Sequence, residues 1–272
     1  MTHSSRQNVK EAILRVEIPV ENRYKQEFDQ WIEYLSDDEK KRLSDTWLKD
    51  NTVDAWRHAR MYSCLDPVLD ACPDSNWLTV GDGRYGNDSH YILEKGNDAV
   101  ASDISDALLK LAAENMYIED FFAANAENLP FAHESFDFVF CKESLHHFPR
   151  PMIALYEMLR VAKRGVVLIE PKEGPSLQSG RDILKSILKF LLSKLGLSSI
   201  MKTRYSGIFA GYTNAWEPVG NYVYKVSERE IEKVAMGMEC PVCAFKGLND
   251  YYERGVEFEE AKEGSLLSLI HI

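Results

Sequence analysis

Long apolar runs are the clearest absence from this 272-residue sequence, none approaching the roughly 20 residues needed to cross a bilayer. The first 26 residues also lack an apolar core followed by a small-residue cleavage site. A soluble, cytoplasmic protein is expected, without membrane contact. Cysteine is scarce: Cys64, Cys72, Cys141, Cys240 and Cys243 are too few for a disulfide framework. Cys240-Pro-Val-Cys243 has no second CxxC or His pair beside it, so apolar thiols are expected there and no metal site. Basic charge is short as well. With 32 Lys and Arg against 43 Asp and Glu, the net charge of -11 disfavours a polyanion, so nucleic acid is not an expected partner. What remains, 45% hydrophobic and 28% charged, is ordinary globular composition, long enough for one α/β domain with additions.

Residues 1–75 read as a helical cap. Ser36-Asp37-Asp38-Glu39 has the form of a capping box, and Asp66-Pro67 pairs an N-cap with proline at the first helical position. Between them, Val53, Trp56, Ala59, Met61 and Leu65 recur at helical spacing. From residue 76 onward, short apolar runs alternate with helical segments: "WLTV", "DAVAS", a weaker run near 117–123, "FDFVFC" and "GVVLIE". That alternation is the signature of a parallel sheet buried on both faces. Ser105 reads as the cap of one connecting helix; Pro151 opens another, with Gly165 just past its end. At about 172–226 an amphipathic helix and a Gly- and Tyr-rich loop with Tyr205, Tyr212, Trp216, Asn221 and Tyr222 interrupt the rhythm and read as an inserted lid. Ser227 and Glu230 then cap a late helix, and "CPVCAFKG" and "SLLSLIHI" read as two further strands. The expected fold is a Rossmann-like, doubly wound, mostly parallel seven-stranded sheet over residues 76–272, with N-terminal helices and the lid.

After the first strand, "LTVGDGRYGND" contains Gly81-x-Gly83-x-x-Gly86, a literal dinucleotide fingerprint, with Asp103 twenty residues beyond Gly83. A glycine turn feeding a helix N-terminus can cradle a pyrophosphate or the carboxylate of an amino-acid moiety, and an acid after the second strand can accept from ribose hydroxyls in either case. These features point to an adenosine-containing ligand and leave its identity open.

Further motifs follow in order: "NAENLPF" from Asn125, "SFDFVFCKESLHHFPRP" from Ser135, and "ALYEMLRVAKRGVVLIEP" ending at Pro171. From Trp77 to Pro171 the sequence resembles the class I S-adenosylmethionine (SAM)-dependent methyltransferases, small-molecule branch, similar to the quinone-biosynthesis type. Three positions depart from that pattern: Thr79 replaces an Asp at the end of strand 1, Tyr85 stands where the third loop glycine falls, and Asn125 replaces an Asp. The resemblance implies that Gly81 and Gly83 admit the cofactor's methionine portion, Asp82 standing in for the missing Asp at the ammonium. It implies that Asp103 binds the ribose, Ile104 covers one adenine face, Asn125 and Ala126 meet the adenine edge, and Lys142 lies near the transferred methyl.

A sulfonium methyl is already activated, so the expected chemistry is in-line displacement by a small-molecule acceptor, without metal. If the acceptor must lose a proton, the candidate bases at the end of strand 4 are Glu143, His146 and His147. Arg84, Arg57, His58 and Arg60 could line the pocket or simply face solvent. An Asn-Pro-Pro-Tyr type of motif is absent after strand 4, which with the acidic charge disfavours nucleic-acid methylation. Two alternatives stand beside this reading. One is a SAM-binding protein without turnover, motivated by Thr79 and Asn125; the other is an NAD-dependent oxidoreductase, which leaves "NAENLPF" unexplained. Homo-oligomerisation is left open.

Overall fold

The computed structural model describes residues 20–172, 224–248, 250 and 255–262. Four helices come first: α1 (Val20–Ser36), α2 (Asp38–Ser44), α3 (Val53–Tyr62) and α4 (Asp66–Ala71). Asp37, not Ser36, caps α2, accepting from Lys40 N–H. Ser36 instead finishes the preceding helix by donating to the Ile32 carbonyl, so the expected capping box at 36–39 is replaced by a single Asp37 cap one residue later. Thr52 caps α3, while α4 starts at Asp66 itself with no side-chain cap.

Next come β1 (Asn76–Val80), α5 (Asn87–Glu94), β2 (Asp98–Asp103), α6 (Ala107–Glu114), β3 (Asp120–Ala123), β4 (Phe136–Lys142), a 3-10 turn (Leu145–His147), α7 (Pro151–Val161), β5 (Ala162–Ile169) and α8 (Glu228–Gly237). The five strands are parallel in the order β3-β2-β1-β4-β5. β1 sits at the centre, where the order reverses, and a ligand crevice is expected at its carboxyl end.

The strands alternate two apolar faces. Leu78, Val80, Val139 and Cys141 pack on Ala154, Met158 and Val161 of α7, while Trp77, Phe138 and Phe140 pack on Leu65, Leu69 and Ile92 on the other side. Each fully buried aliphatic such as Leu78 contributes roughly 1.5–3 kcal/mol, which fixes the register because a one-residue slip exchanges the faces. A third cluster joins Ala101 and α6 to Tyr85 and to Trp31 and Tyr34 of α1, anchoring the N-terminal helix on the sheet.

Some boundaries differ from expectation. Asp106, not Ser105, precedes α6 and makes no side-chain cap. Gly165 lies inside β5, because α7 passes into that strand without a loop. The sheet has five strands among the described residues, not seven. Residues 240–247 form no strand: Val242 and Phe245 stand exposed, with no neighbouring strand among the described residues to bury them. The other expected strand, 265–272, and residues 173–223 of the expected lid lie outside the described residues. The capping box at Ser227 and Glu230 is present in full.

Candidate active site

At the carboxyl ends of β1, β2 and β4, roofed by α1 and α3, lies a cavity of about 660 Å³, within the size range of small-molecule sites. Gly81, Asp82, Asp103, Ile104, Asn125, Ala126, Lys142, Glu143 and His147 line it together. Gly83 and His146 are not among its lining residues.

Gly81 takes a left-handed backbone at φ +79, and a Cβ there would lie 2.4 Å from that of Ser144, so only glycine fits between the β1 and β4 loops. Ser144 Oγ donates to the Gly81 carbonyl at 2.8 Å, tying the loops together. Gly83 owes its missing side chain to a different neighbour. A Cβ there would lie 2.5 Å from the Trp31 ring, so α1 rests directly on this glycine. Gly86 caps α5 at φ +71, and Tyr85 adopts φ +58, a conformation glycine takes freely.

Asp82 has a task other than the expected contact with a ligand ammonium. Its carboxylate accepts from Asp88 N–H at 3.0 Å, Ser89 N–H at 2.9 Å, Ser89 Oγ at 2.9 Å and Thr79 Oγ1 at 2.7 Å. It therefore satisfies the orphan donors of the first turn of α5 from within the loop. Burial, with the neighbouring Asp88, pushes its carboxyl up to about 8. Asp103 ends β2 with its carboxylate accepting from Ser105 N–H at 3.1 Å; burial pushes it up to about 7. A buried carboxylate at the cavity wall is poised to gain donors from a ligand's hydroxyls.

Lys142 is buried, its ammonium 3.3 Å from Asp88 Oδ1, 3.1 Å from His58 Nδ1 and over the Tyr62 ring. Burial and then Lys142 itself hold His58 below its ordinary value, so the imidazole is neutral and accepts from Lys142. Beneath it, Arg57 joins Asp54 at 3.1 Å, Glu143, and Asp250 at 2.7 Å. Burial raises the Glu143 carboxyl, but Lys142 and Arg57 outweigh it and keep the group below the usual range, ionised. The lowered proton affinity makes Glu143 a weak base, and its pairing with Arg57 suits a fixed negative charge. Its backbone is left-handed at φ +51, a state held only where the surroundings over-determine it; its N–H donates to the Ile169 carbonyl. His146 turns away from the cavity to Glu170, its Nδ1 2.5 Å from Oε2. His147 is the histidine brought to the wall. Of the basic residues of α3 and the loop, His58 and Arg84 line the cavity; Arg57 and Arg60 do not.

The sequence reading did not single out α1. Tyr24 donates to Glu127 at 2.5 Å and accepts from Arg150 at 3.1 Å, and Tyr24, Glu27 and Trp31 all line the cavity. Nothing local in the sequence signals these contacts, which span more than 100 residues in the case of Tyr24 and Glu127.

Residues 78–169 match the family model of a methyltransferase domain. The chain is 39% identical over 102 residues to a demethylmenaquinone methyltransferase from Renibacterium salmoninarum, covering 38% of this chain and 43% of that protein. It is 28% identical over 207 residues to a ubiquinone/menaquinone biosynthesis C-methyltransferase from Rhizobium rhizogenes, covering 60% of this chain and 79% of that one. The chain spans less than half the length of the first two curated relatives it matches. Among solved structures, the YcgJ protein from Bacillus subtilis aligns with a TM-score of 0.43 at 20% identity, over 65% of this chain and 67% of that chain, too distant to bear on function. The segment 78–169, running from β1 to β5 and carrying the floor of the cavity, is the part of the chain that is similar to methyltransferase domains.

Proposed function

We propose that this chain transfers the methyl group of SAM to a small aromatic acceptor of the quinol type, on carbon. The observation that carries the reading is a coincidence of place: the matched methyltransferase domain ends its β1, β2 and β4 strands in one cavity lined by Asp103, Asn125 and Lys142. The quinol class comes from the named activities of the relatives. Bound there, SAM supplies a sulfonium-activated methyl, so the chain's own work is to orient, exclude water and manage one proton.

The residues present fit the cofactor. Asp103 offers a buried carboxylate to ribose hydroxyls, Ile104 an apolar wall to the adenine, and Asn125 and Ala126 polar and small contacts to its edge. Gly81 lines the cavity beside the proposed place of the methionine portion. Asp54, Glu143 and Asp88 place negative charge where a cationic sulfonium and ammonium gain from it, with Lys142 available to the carboxylate. His147 is assigned the acceptor's proton, since the cations beside Glu143 lower its proton affinity and make it a weak base.

The test is transfer of labelled methyl from SAM to reduced demethylmenaquinone by the purified full chain. Label in the extracted naphthoquinol supports the reading. SAM binding with no label in that acceptor or a panel of phenols would establish the reading without turnover instead.

A further inference from the structure

Glu170, directly after β5, spends a single carboxylate on three consecutive residues of the loop after β4. Its Oε1 accepts from Ser144 N–H at 3.0 Å and Leu145 N–H at 2.8 Å, and its Oε2 faces His146 Nδ1 at 2.5 Å. An ionised carboxylate only accepts, so Nδ1 carries the proton and the ring orientation is fixed. The His146 ring in turn lies 3.9 Å, centroid to centroid, from the His147 ring at the cavity wall. Ser144, held at the other end, anchors the Gly81 carbonyl. The ends flanking residues 173–223 meet here too: Tyr224 N–H donates to the His146 carbonyl at 2.7 Å, and Lys172 bridges to Val226.

We propose that Glu170 is the positioning residue of the methyl-transfer site. Through Ser144 and Leu145 it sets the turn, and through His146 it sets where the His147 imidazole stands. His146 is then a buttress rather than a base. The assignment rests on the methyltransferase reading for its effect on rate and on geometry alone for its effect on His147.

The test compares Glu170→Gln and Glu170→Asp in the full chain. A carboxamide cannot accept on both sides, so Glu170→Gln must either give up the backbone pair or present its NH2 to His146 Nδ1 and force that ring into the other tautomer; Glu170→Asp keeps both acceptors. In ring-labelled histidine spectra, Glu170→Gln is expected to shift the His146 and His147 signals, with Glu170→Asp closer to wild type. Affinity for S-adenosylhomocysteine should stay within about threefold, while kcat for methyl transfer to reduced demethylmenaquinone falls about a hundredfold, as a roughly 1 Å misplacement does, with little change in acceptor KM. A merely structural role would lower stability and leave the histidine signals of the folded fraction alone. His146→Asn is the second variant, retaining both backbone bonds of Glu170 and removing the ring against His147; it should move the His147 signals equally. Unmoved His147 signals in both variants, or an unaltered kcat in Glu170→Gln, overturn the proposal. Absence of transfer by wild type would count against the methyltransferase reading alone, with the ring signals still deciding the positioning role.

Discussion

The Trp31 indole of α1 lies against Gly83 so closely that a Cβ on the glycine would stand 2.5 Å from ring atom Cζ2. Trp31 also stacks towards Tyr34, with centroids 5.5 Å apart, and Tyr34 towards Trp47 at 4.9 Å. The N-terminal helix is thereby keyed onto the loop that follows β1. Gly83→Ala should destabilise the chain by about 1–3 kcal/mol through overpacking. In a Trp31→Ala background the same change should cost much less. Urea unfolding of the four proteins of this cycle measures the coupling, and additive costs would show that the two residues do not meet.

As the proposed ribose acceptor, Asp103 should couple cofactor binding to pH. Its carboxyl, pushed up to about 7 by burial, is part-protonated near neutrality. A cationic ligand that also donates hydroxyls favours the ionised form, so binding lowers this pKa and releases a proton. SAM affinity should rise between pH 6 and pH 8, and calorimetry in buffers of different ionisation heat should register the released proton. Asp103→Asn should bind more weakly and lose both effects. Equal affinity across that range, with no proton released by wild type, would count against Asp103 as the ribose acceptor.

Asp82 holds the first turn of α5. Asp82→Ala strands the N–H groups of Asp88 and Ser89, so a loss of about 2–5 kcal/mol is expected from two buried donors without acceptors. The folded chain keeps the Asp82 proton up to about 8, whereas an unfolded aspartate releases it near pH ~3.9. Its contribution is therefore complete below about pH 4 and is lost as pH rises through about 8. Asp82→Asn should flatten that part of the wild-type stability curve; an unchanged slope would mean that Asp82 is ionised throughout.

Arg57 balances three carboxylates from separate parts of the chain: Asp54 on α3, Glu143 after β4, and Asp250. Arg57→Met leaves buried negative charge uncompensated and should cost about 3–5 kcal/mol. Burial raises the Asp54 and Glu143 carboxyls, but the surrounding cations outweigh it, leaving both below their usual values. Their contribution is present above about pH 4 to 4.5 and is lost on acidification. Urea midpoints from pH 3 to 7 should show a shallower acid limb in Arg57→Met than in wild type.

β1 and β4 were legible because each is a run of apolar residues buried on both faces, a pattern that needs no knowledge of partners, whereas the largely exposed β3 left only the weaker run near 117–123. The motif residues of the cavity were legible for a similar reason, since Gly81, Asp103, Asn125 and Lys142 all follow directly from strand ends. What escaped was set by distant pairing. Glu170 reads as the last letter of a strand until His146 is found opposite it, 24 residues away. Asp82 reads as a ligand contact until the donors of α5 are seen to converge on it. The run at 240–247 has a strand's composition but no neighbouring strand among the described residues, and its Val242 and Phe245 remain exposed.

The most direct test of the central claim is a thermal shift of the full chain with SAM, S-adenosylhomocysteine and NAD in separate samples, because a ligand that binds the native state raises its apparent stability. A rise in Tm with SAM and S-adenosylhomocysteine, none with NAD, and loss of the rise in Asp103→Asn are predicted. Stabilisation by NAD with no response to either SAM species would contradict the account.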